Sequence, residues 1–108
     1  MSESEHLIIF CTVPDAESGN TISRALLEKR LAACVNAVPG IQSQYWWNEK
    51  IESDKEYQLI IKTRRLLYPK LEKVILDLHP YDVPEIVAVP ITYGNPDYLK
   101  WIEEETQQ

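Results

Sequence analysis

Three residues with different donor chemistry could meet in the folded chain: the thiol of Cys11, the imidazole of His79 and the carboxylate of Glu85. Sulfur, nitrogen and oxygen donors together suit a borderline or soft divalent ion such as Cu²⁺ or Zn²⁺. Each residue also has an ordinary structural interpretation. A cysteine in an apolar strand is usually a small buried hydrophobe, and a histidine before proline often caps a helix end. The residue types alone therefore leave metal binding and packing both open.

Patterns typical of catalysis are scarce. The chain has only three glycines, and it contains neither a glycine-rich phosphate loop nor a serine nucleophile elbow. A nucleophilic pair of Cys11 with His79 is conceivable, but no evident oxyanion hole accompanies it. Cys34, Tyr81 and Asp82 are further polar candidates, of which Cys34 follows two alanines and is expected to pack. We predict that the protein is not an enzyme.

The first half of the chain predicts a strand, a helix and a long hairpin. The apolar run Leu7 to Val13 is typical of a strand buried on both faces, and an apolar stripe from 16 to 33 predicts a helix. Period-two alternation follows, with Pro39-Gly40 marking a bulge and 48–50 a turn. We therefore interpret 34–64 as one hairpin.

The second half predicts a helix, a strand and a short terminal helix. Apolar spacing indicates a helix over 67–78, with Pro69 tolerable only in its first turn. A strand is predicted over 85–91. Asn95 suits a helix N-cap and Pro96 the first helical position, so a last helix is expected to begin there.

The predicted element order is β-α-β-β-α-β plus the terminal helix, in one domain spanning 1–108. Two βαβ halves in a chain of this length predict an α+β ferredoxin-like sandwich, whose four antiparallel strands lie in the order 4-1-3-2. In that order the end of the first strand lies beside the start of the last. Cys11, Glu85 and, through the preceding connection, His79 are thus expected at the same end of the sheet.

The predicted hairpin is too long for its own core. Its first arm, 34–47, would measure about 45 Å, whereas a compact domain of this size is only about 35 Å across. The outer part carries large apolar side chains, namely Tyr45, Trp46, Trp47 and Ile51. We expect another copy of the chain to cover them, the alternative being that the terminal helix folds back over them. These residues do not by themselves choose a dimer over a trimer.

Charge and composition exclude several classes of protein. The formal net charge is −6, which argues against nucleic acid and anionic membranes as main partners. The longest apolar run has seven residues, far below the roughly 20 that span a membrane, and no secretory signal pattern is present. With that context the two cysteines are expected to be free thiols in a reducing compartment, so we predict a cytoplasmic protein.

Several short motifs together are characteristic of one family. They are Leu31-Ala32-Ala33-Cys34 leading to Pro39-Gly40, Tyr45-Trp46-Trp47-Asn48, Ile61-Lys62-Thr63, His79-Pro80-Tyr81 with Pro84-Glu85, and Tyr98-Leu99-Trp101. Over about 7–102 the chain resembles the CutA divalent-cation tolerance family.

The resemblance implies a ferredoxin-like subunit in a tight homotrimer, with hairpins running between subunits and an architecture akin to the PII signalling proteins. It implies tolerance of divalent cations and binding of Cu²⁺, with Cys11, His79 and more weakly Glu85 as metal positions. This chain has Leu78-His79 where the family's copper pattern has two adjacent histidines, so it offers one imidazole fewer. The alternative is a PII-like signalling or scaffold trimer that binds a small ligand or a partner protein in its intersubunit clefts.

Overall fold

A computed structural model describes residues 5–108 and contains a four-stranded antiparallel sheet. Its elements are β1 His6–Val13, α1 Ala16–Glu28, β2 Cys34–Trp47, β3 Lys50–Arg64, a 3₁₀ turn Arg65–Leu67, α2 Tyr68–Leu78, β4 Val87–Pro90 and α3 Pro96–Glu105. The strands lie in the order β2-β3-β1-β4, which is the predicted 4-1-3-2 order read from the other edge. The predicted α+β architecture is therefore confirmed.

The core lies between one face of the sheet and the helices α1 and α2. Alternate residues of β1, from Leu7 to Val13, are buried, and those from Ile9 to Val13 pack in one cluster with Ile22 of α1 and Ile75 of α2. The residues between them, such as Phe10, are only partly buried. The prediction that this strand is buried on both faces is wrong for the single chain, because α1 and α2 cover one face only.

Helix α1 is shorter than predicted and ends at Glu28 instead of residue 33. Arg30 adopts a left-handed conformation with φ 59°, and its N–H donates to the carbonyl of Leu27. The N–H of Leu31 donates to the carbonyl of Leu26 at 2.9 Å. These two bonds form a Schellman motif, which stops the helix and turns Leu31 into the core.

The predicted hairpin is present, with its bulge and its turn. The register of β2 against β3 shifts between Val38 and Ile41, where Gly40 has φ +73°. The turn residues Asn48 and Glu49 have φ of 50° and 62°, as a type I′ hairpin turn requires. The chain measures 44 × 31 × 23 Å. The outer aromatics stay largely exposed, with Trp46 at 71% of its full accessibility.

Helix α3 is fastened away from the hairpin tip. Asn95 caps its start by accepting the N–H of Tyr98 at 3.0 Å. Glu103 pairs with His6 at 2.8 Å, and Glu105 pairs with Arg30 at 3.0 Å. The alternative in which this helix covers the hairpin aromatics is therefore not what the structure shows.

Strand β4 is an edge strand of four residues, shorter than the predicted 85–91, and all four are exposed. It pairs with Leu7–Phe10 of β1. Within residues 5–108 no helix combines the length and the apolar character needed to cross a membrane.

Candidate functional site

His79 fastens the segment after α2 to the end of β1. Its Nε2 lies 2.7 Å from the carbonyl oxygen of Thr12, and its Nδ1 lies 3.1 Å from the backbone nitrogen of Tyr81. A carbonyl oxygen only accepts and an amide N–H only donates, so Nε2 carries the proton and Nδ1 accepts. Both ring nitrogens are thus engaged, and the side chain is buried.

Cys11 is fully buried among the core side chains of β1, α1 and α2. Burial raises the pKa of its thiol to about 12, and the carboxylates of Glu85 and Glu56 raise that pKa further. The thiol is therefore protonated at neutral pH, whereas metals bind the thiolate. Cys34, in the edge strand β2, is the more accessible of the two free thiols.

Glu85 is exposed and lies near enough to Cys11 to act on its pKa. Cys11, His79 and Glu85 therefore lie in one region of the molecule. They do not form a ligand set as arranged, since residues 5–108 contain no group of three or more His, Cys, Asp or Glu side chains placed to hold a metal ion. Adjacent residues of a strand face opposite sides of the sheet, so the Cys11 thiol points into the core while Thr12 faces a cleft.

That cleft has a volume of about 920 Å³ and lies between the hairpin and the segment after His79. We call it the acidic cleft, and its lining residues are Thr12, Gln42, Ser43, Gln44, Tyr45, Trp46, Trp47, Glu56, Pro80, Tyr81, Asp82, Val83, Pro84 and Glu85. The sequence pattern indicates the aromatic arm and Glu85 separately. It does not indicate that they lie together, because the path of 80–85 carries no periodic pattern.

Glu56 is the buried acid of this cleft, with 7% of its surface accessible. The Tyr81 hydroxyl donates to its Oε2 at 2.7 Å, and burial followed by this bond raises the pKa of Tyr81. Nearby, the Tyr45 hydroxyl donates to Asp54, which is the main reason that the pKa of Tyr45 rises to about 12. The sequence gives no signal for the burial of Glu56, since its place in an alternating strand is typical of a solvated position.

A family model described as the CutA1 divalent ion tolerance protein matches residues 7–105. The chain belongs to the CutA1 family. The resemblance proposed from the sequence motifs is thereby confirmed. CutA1 is a divalent-cation tolerance family and is not a known family of enzymes.

Relatives with this name cover nearly all of the chain. It is 50% identical over 99 residues to the divalent-cation tolerance protein CutA of Thermus thermophilus, covering 92% of this chain and 96% of the relative. It is 44% identical to the chloroplastic protein CutA 1 of rice, covering 94% of this chain but only 58% of that longer protein. The structure of the Thermus protein superposes with a TM-score of 0.92 at 48% identity, over 94% of this chain and 99% of that one.

Proposed function

We propose that this protein is a non-enzymatic homotrimer that binds divalent metal ions, copper foremost, and supports cation tolerance in the cytoplasm. Membership of the CutA1 family supports the role in tolerance. Relatives are named for both the chloroplast and the periplasm, whereas the free thiols of this chain favour a reducing compartment such as the cytoplasm.

The observation that carries the metal proposal is the grouping of a thiol, an imidazole and a carboxylate in one region of the molecule, around the end of β1. Cys11, His79 and Glu85 are the proposed ligands, and Cu²⁺ or another divalent cation such as Zn²⁺ suits this donor set. Binding would require His79 to release one of its two hydrogen bonds and Cys11 to lose its proton. We therefore expect metal uptake to release protons and to weaken as pH falls.

Association with further copies is supported by the surface of the single chain, and the resemblance to the CutA family implies that three copies assemble. Trp46, Trp47 and Ile51 at the hairpin tip are exposed, although side chains of this size are costly to leave in water. The sheet face opposite α1 and α2 also carries exposed Val87 and Val89. Packing of further copies on these two surfaces would remove both from solvent.

Calorimetric titration with Cu²⁺ tests the metal site. We expect the Cys11→Ala, His79→Ala double variant to lose the tightest binding, because two of three donors are gone. The matched control is the Cys34→Ala, His6→Ala double variant, which removes the same side-chain types elsewhere and should bind as the unaltered protein does. Circular dichroism first establishes that both variants are folded. Equal copper uptake by the two variants would remove these residues from the site.

A PII-like signalling or scaffold trimer, which binds a small ligand or a partner protein in clefts between its subunits, is the second candidate. The acidic cleft, lined by the hairpin that is expected to run between subunits, is the observation that favours it. Such a protein would bind a small ligand there, with metal binding incidental. Thermal shifts with metabolites and none with divalent metals would support this candidate over the first.

A further inference from the structure

Helix α3 has less hydrophobic attachment to the rest of the chain than either α1 or α2. Among its residues, Pro96–Glu105, only Ile102 is buried, whereas α1 and α2 each bury more than one residue. The free energy of a local opening depends largely on the apolar surface that the opening exposes. Hydrophobic packing alone therefore leaves α3 weakly held.

The end of α3 is acidic, which weakens the helix further. Glu103, Glu104 and Glu105 lie in its last turn, where negative charges oppose the helix dipole. Glu103 lies 2.8 Å from His6 and Glu105 lies 3.0 Å from Arg30, but the side chains of both glutamates are partly exposed. Exposed pairs of this kind contribute little to stability. These two pairs therefore do not explain why α3 stays docked.

Gln107, which follows α3, connects the helix to three other parts of the fold. Its N–H donates to the carbonyl oxygen of Arg30 at 2.8 Å, and its side-chain Nε2 donates to that of Lys29 at 2.8 Å. Its own carbonyl oxygen accepts from the guanidinium of Arg64 at 3.0 Å, and its Oε1 accepts from Nζ of Lys70 at 3.3 Å. One residue thus binds the segment after α1, the end of β3 and the first turn of α2.

The bonds from Gln107 to Lys29 and Arg30 also complete the end of α1. Carbonyl groups at the end of a helix have no partner within the helix, so side chains, other backbone groups or water have to satisfy them. Here the donors come from a residue far along the sequence. The docking of α3 and the order of the last turn of α1 are therefore linked.

Helix α3 also lies over the thiol of Cys34. The Tyr98 side chain contacts this thiol, and burial, followed by the influence of Cys34, raises the pKa of Tyr98. Cys34 itself is partly buried at the start of the edge strand β2. Displacement of α3 would therefore uncover the Cys34 thiol.

We propose that α3 and the two residues after it form a strap that opens as one unit while the rest of the chain stays folded, with Gln107 as its fastening. Opening of the strap uncovers Cys34 and loosens the last turn of α1 at the same time. The strap is thus a conformational device that controls access to the start of β2. It does not depend on the proposed metal site, because that site lies around the end of β1, whereas the strap pairs with His6 at the start of β1.

Hydrogen exchange of the unaltered full chain, followed by mass spectrometry, tests the strap. Peptides of α3 should exchange faster than those of α2, and their exchange should depend only weakly on urea, because a local opening exposes little surface. Exchange in α2 should instead show the steep urea dependence of global unfolding.

Two variants test the fastening. Gln107→Ala removes the side-chain bonds to Lys29 and Lys70, so it should speed exchange in α3 and in the last turn of α1 about tenfold. The matched control is Gln108→Ala, whose side chain donates only to carbonyls of the strap itself and whose loss should leave exchange in α1 unchanged. Alkylation of Cys34 should be faster in Gln107→Ala than in the control.

Three results would overturn the proposal. One is the same urea dependence of exchange in α3 and α2, which is expected if partner copies hold α3 in place. Another is equal exchange in α1 in Gln107→Ala and Gln108→Ala, and the third is equal alkylation of Cys34 in the two variants. Circular dichroism and native mass spectrometry first establish that both variants are folded and assembled as the unaltered protein is. The comparison of α3 with α2 needs no variant.

Discussion

At the scale of residues, the strand geometry at the end of β1 separates two kinds of chemistry. Cys11 lies in the core, where burial keeps its thiol protonated. Thr12 lines the acidic cleft, and its backbone carbonyl accepts a hydrogen bond from His79. Within the apolar run of the sequence, nothing distinguishes which of these two adjacent residues faces the core. Only the direction in which each side chain points decides which of them a ligand in the cleft would meet.

The burial of Cys11 predicts a difference in reactivity between the two thiols. At pH 8 iodoacetamide should modify Cys34 in the native protein but leave Cys11 unmodified, because the buried thiol is protonated and inaccessible. Mass spectrometry of the Cys34→Ser variant checks this. The native variant should take up no label, and the same variant in denaturant should take up one. Rapid labelling of Cys11 in the native variant would contradict its placement in the core.

The raised pKa of Cys11 also predicts a loss of stability at alkaline pH. The unfolded thiol ionises near pH 9.0, whereas the native thiol resists ionisation until about pH 12. The contribution of the protonated Cys11 thiol to the free energy of unfolding is therefore fully present well below pH 9. It is lost as the pH rises from 9 to about 12. Tyr81 and Tyr45 shift in the same direction. The free energy of unfolding should therefore fall less at alkaline pH in Cys11→Ala than in Cys34→Ala. The difference between the two variants measures the part of the decline that is due to Cys11. An equal decline in both variants would argue against it.

The hydrogen bond from Tyr81 to Glu56 should matter more than a similar bond elsewhere. Tyr81→Phe leaves a buried carboxylate without its donor and should cost about 2 kcal/mol in the free energy of unfolding. The matched control is Tyr68→Phe, which removes a phenol–carboxylate bond of 3.0 Å to Glu72 within α2. It should cost about 0.5 kcal/mol, since Glu72 is less buried and water replaces the donor. Urea denaturation of both variants gives the comparison, and equal costs would mean that Glu56 does not depend on Tyr81.

At the scale of elements, the sequence predicts helices, strands and turns correctly where neighbouring residues determine the backbone conformation. The bulge at Pro39-Gly40, the N-cap of α3 and the pairing of all four strands followed from residue types, period and the rules for connecting strands. The end of α1 did not, because Arg30 stops the helix in a conformation that usually requires glycine. The course of 80–85 was equally unpredictable, and with it the burial of Glu56, because hydrogen bonds between distant residues determine both.

Two hairpin positions with positive φ should respond to substitution in opposite directions. Gly40→Ala meets no atom within 4 Å, so its cost is conformational only and should be about 1 kcal/mol. Glu49→Gly places glycine where the turn has φ 62° and should raise stability by up to about 1 kcal/mol. Thermal unfolding of both variants measures the two signs. A stabilising Gly40→Ala or a destabilising Glu49→Gly would contradict the backbone geometry described here.

At the scale of the whole molecule, the exposed hairpin tip predicts the effect of a charge on assembly. The unaltered protein should have a native mass three times the 12.5 kDa of one chain. Trp46→Glu should shift that mass to one chain without loss of secondary structure, because a carboxylate at a covered apolar contact is costly. Native mass spectrometry at micromolar concentration measures this.

The matched control for assembly is Tyr93→Glu. Tyr93 is 93% exposed, like Trp46 an aromatic on the surface, but it lies in the loop before α3 and outside the hairpin. Its substitution should leave the native mass unchanged. A single-chain mass for the unaltered protein would rule out the trimer, and dissociation by both variants would show that the hairpin tip has no special part in it.

The bulge between β2 and β3 has a further consequence for the outer edge of the sheet. β2 is an edge strand of 14 residues, and so long a row of free backbone groups is a template for uncontrolled aggregation. Pro39 has no N–H, and the register shift beside it bends the strand. The outer edge of β2 is thereby divided into two shorter stretches. Growth of a fibril along this edge would require a straight, uninterrupted run of backbone donors and acceptors, which the bulge removes.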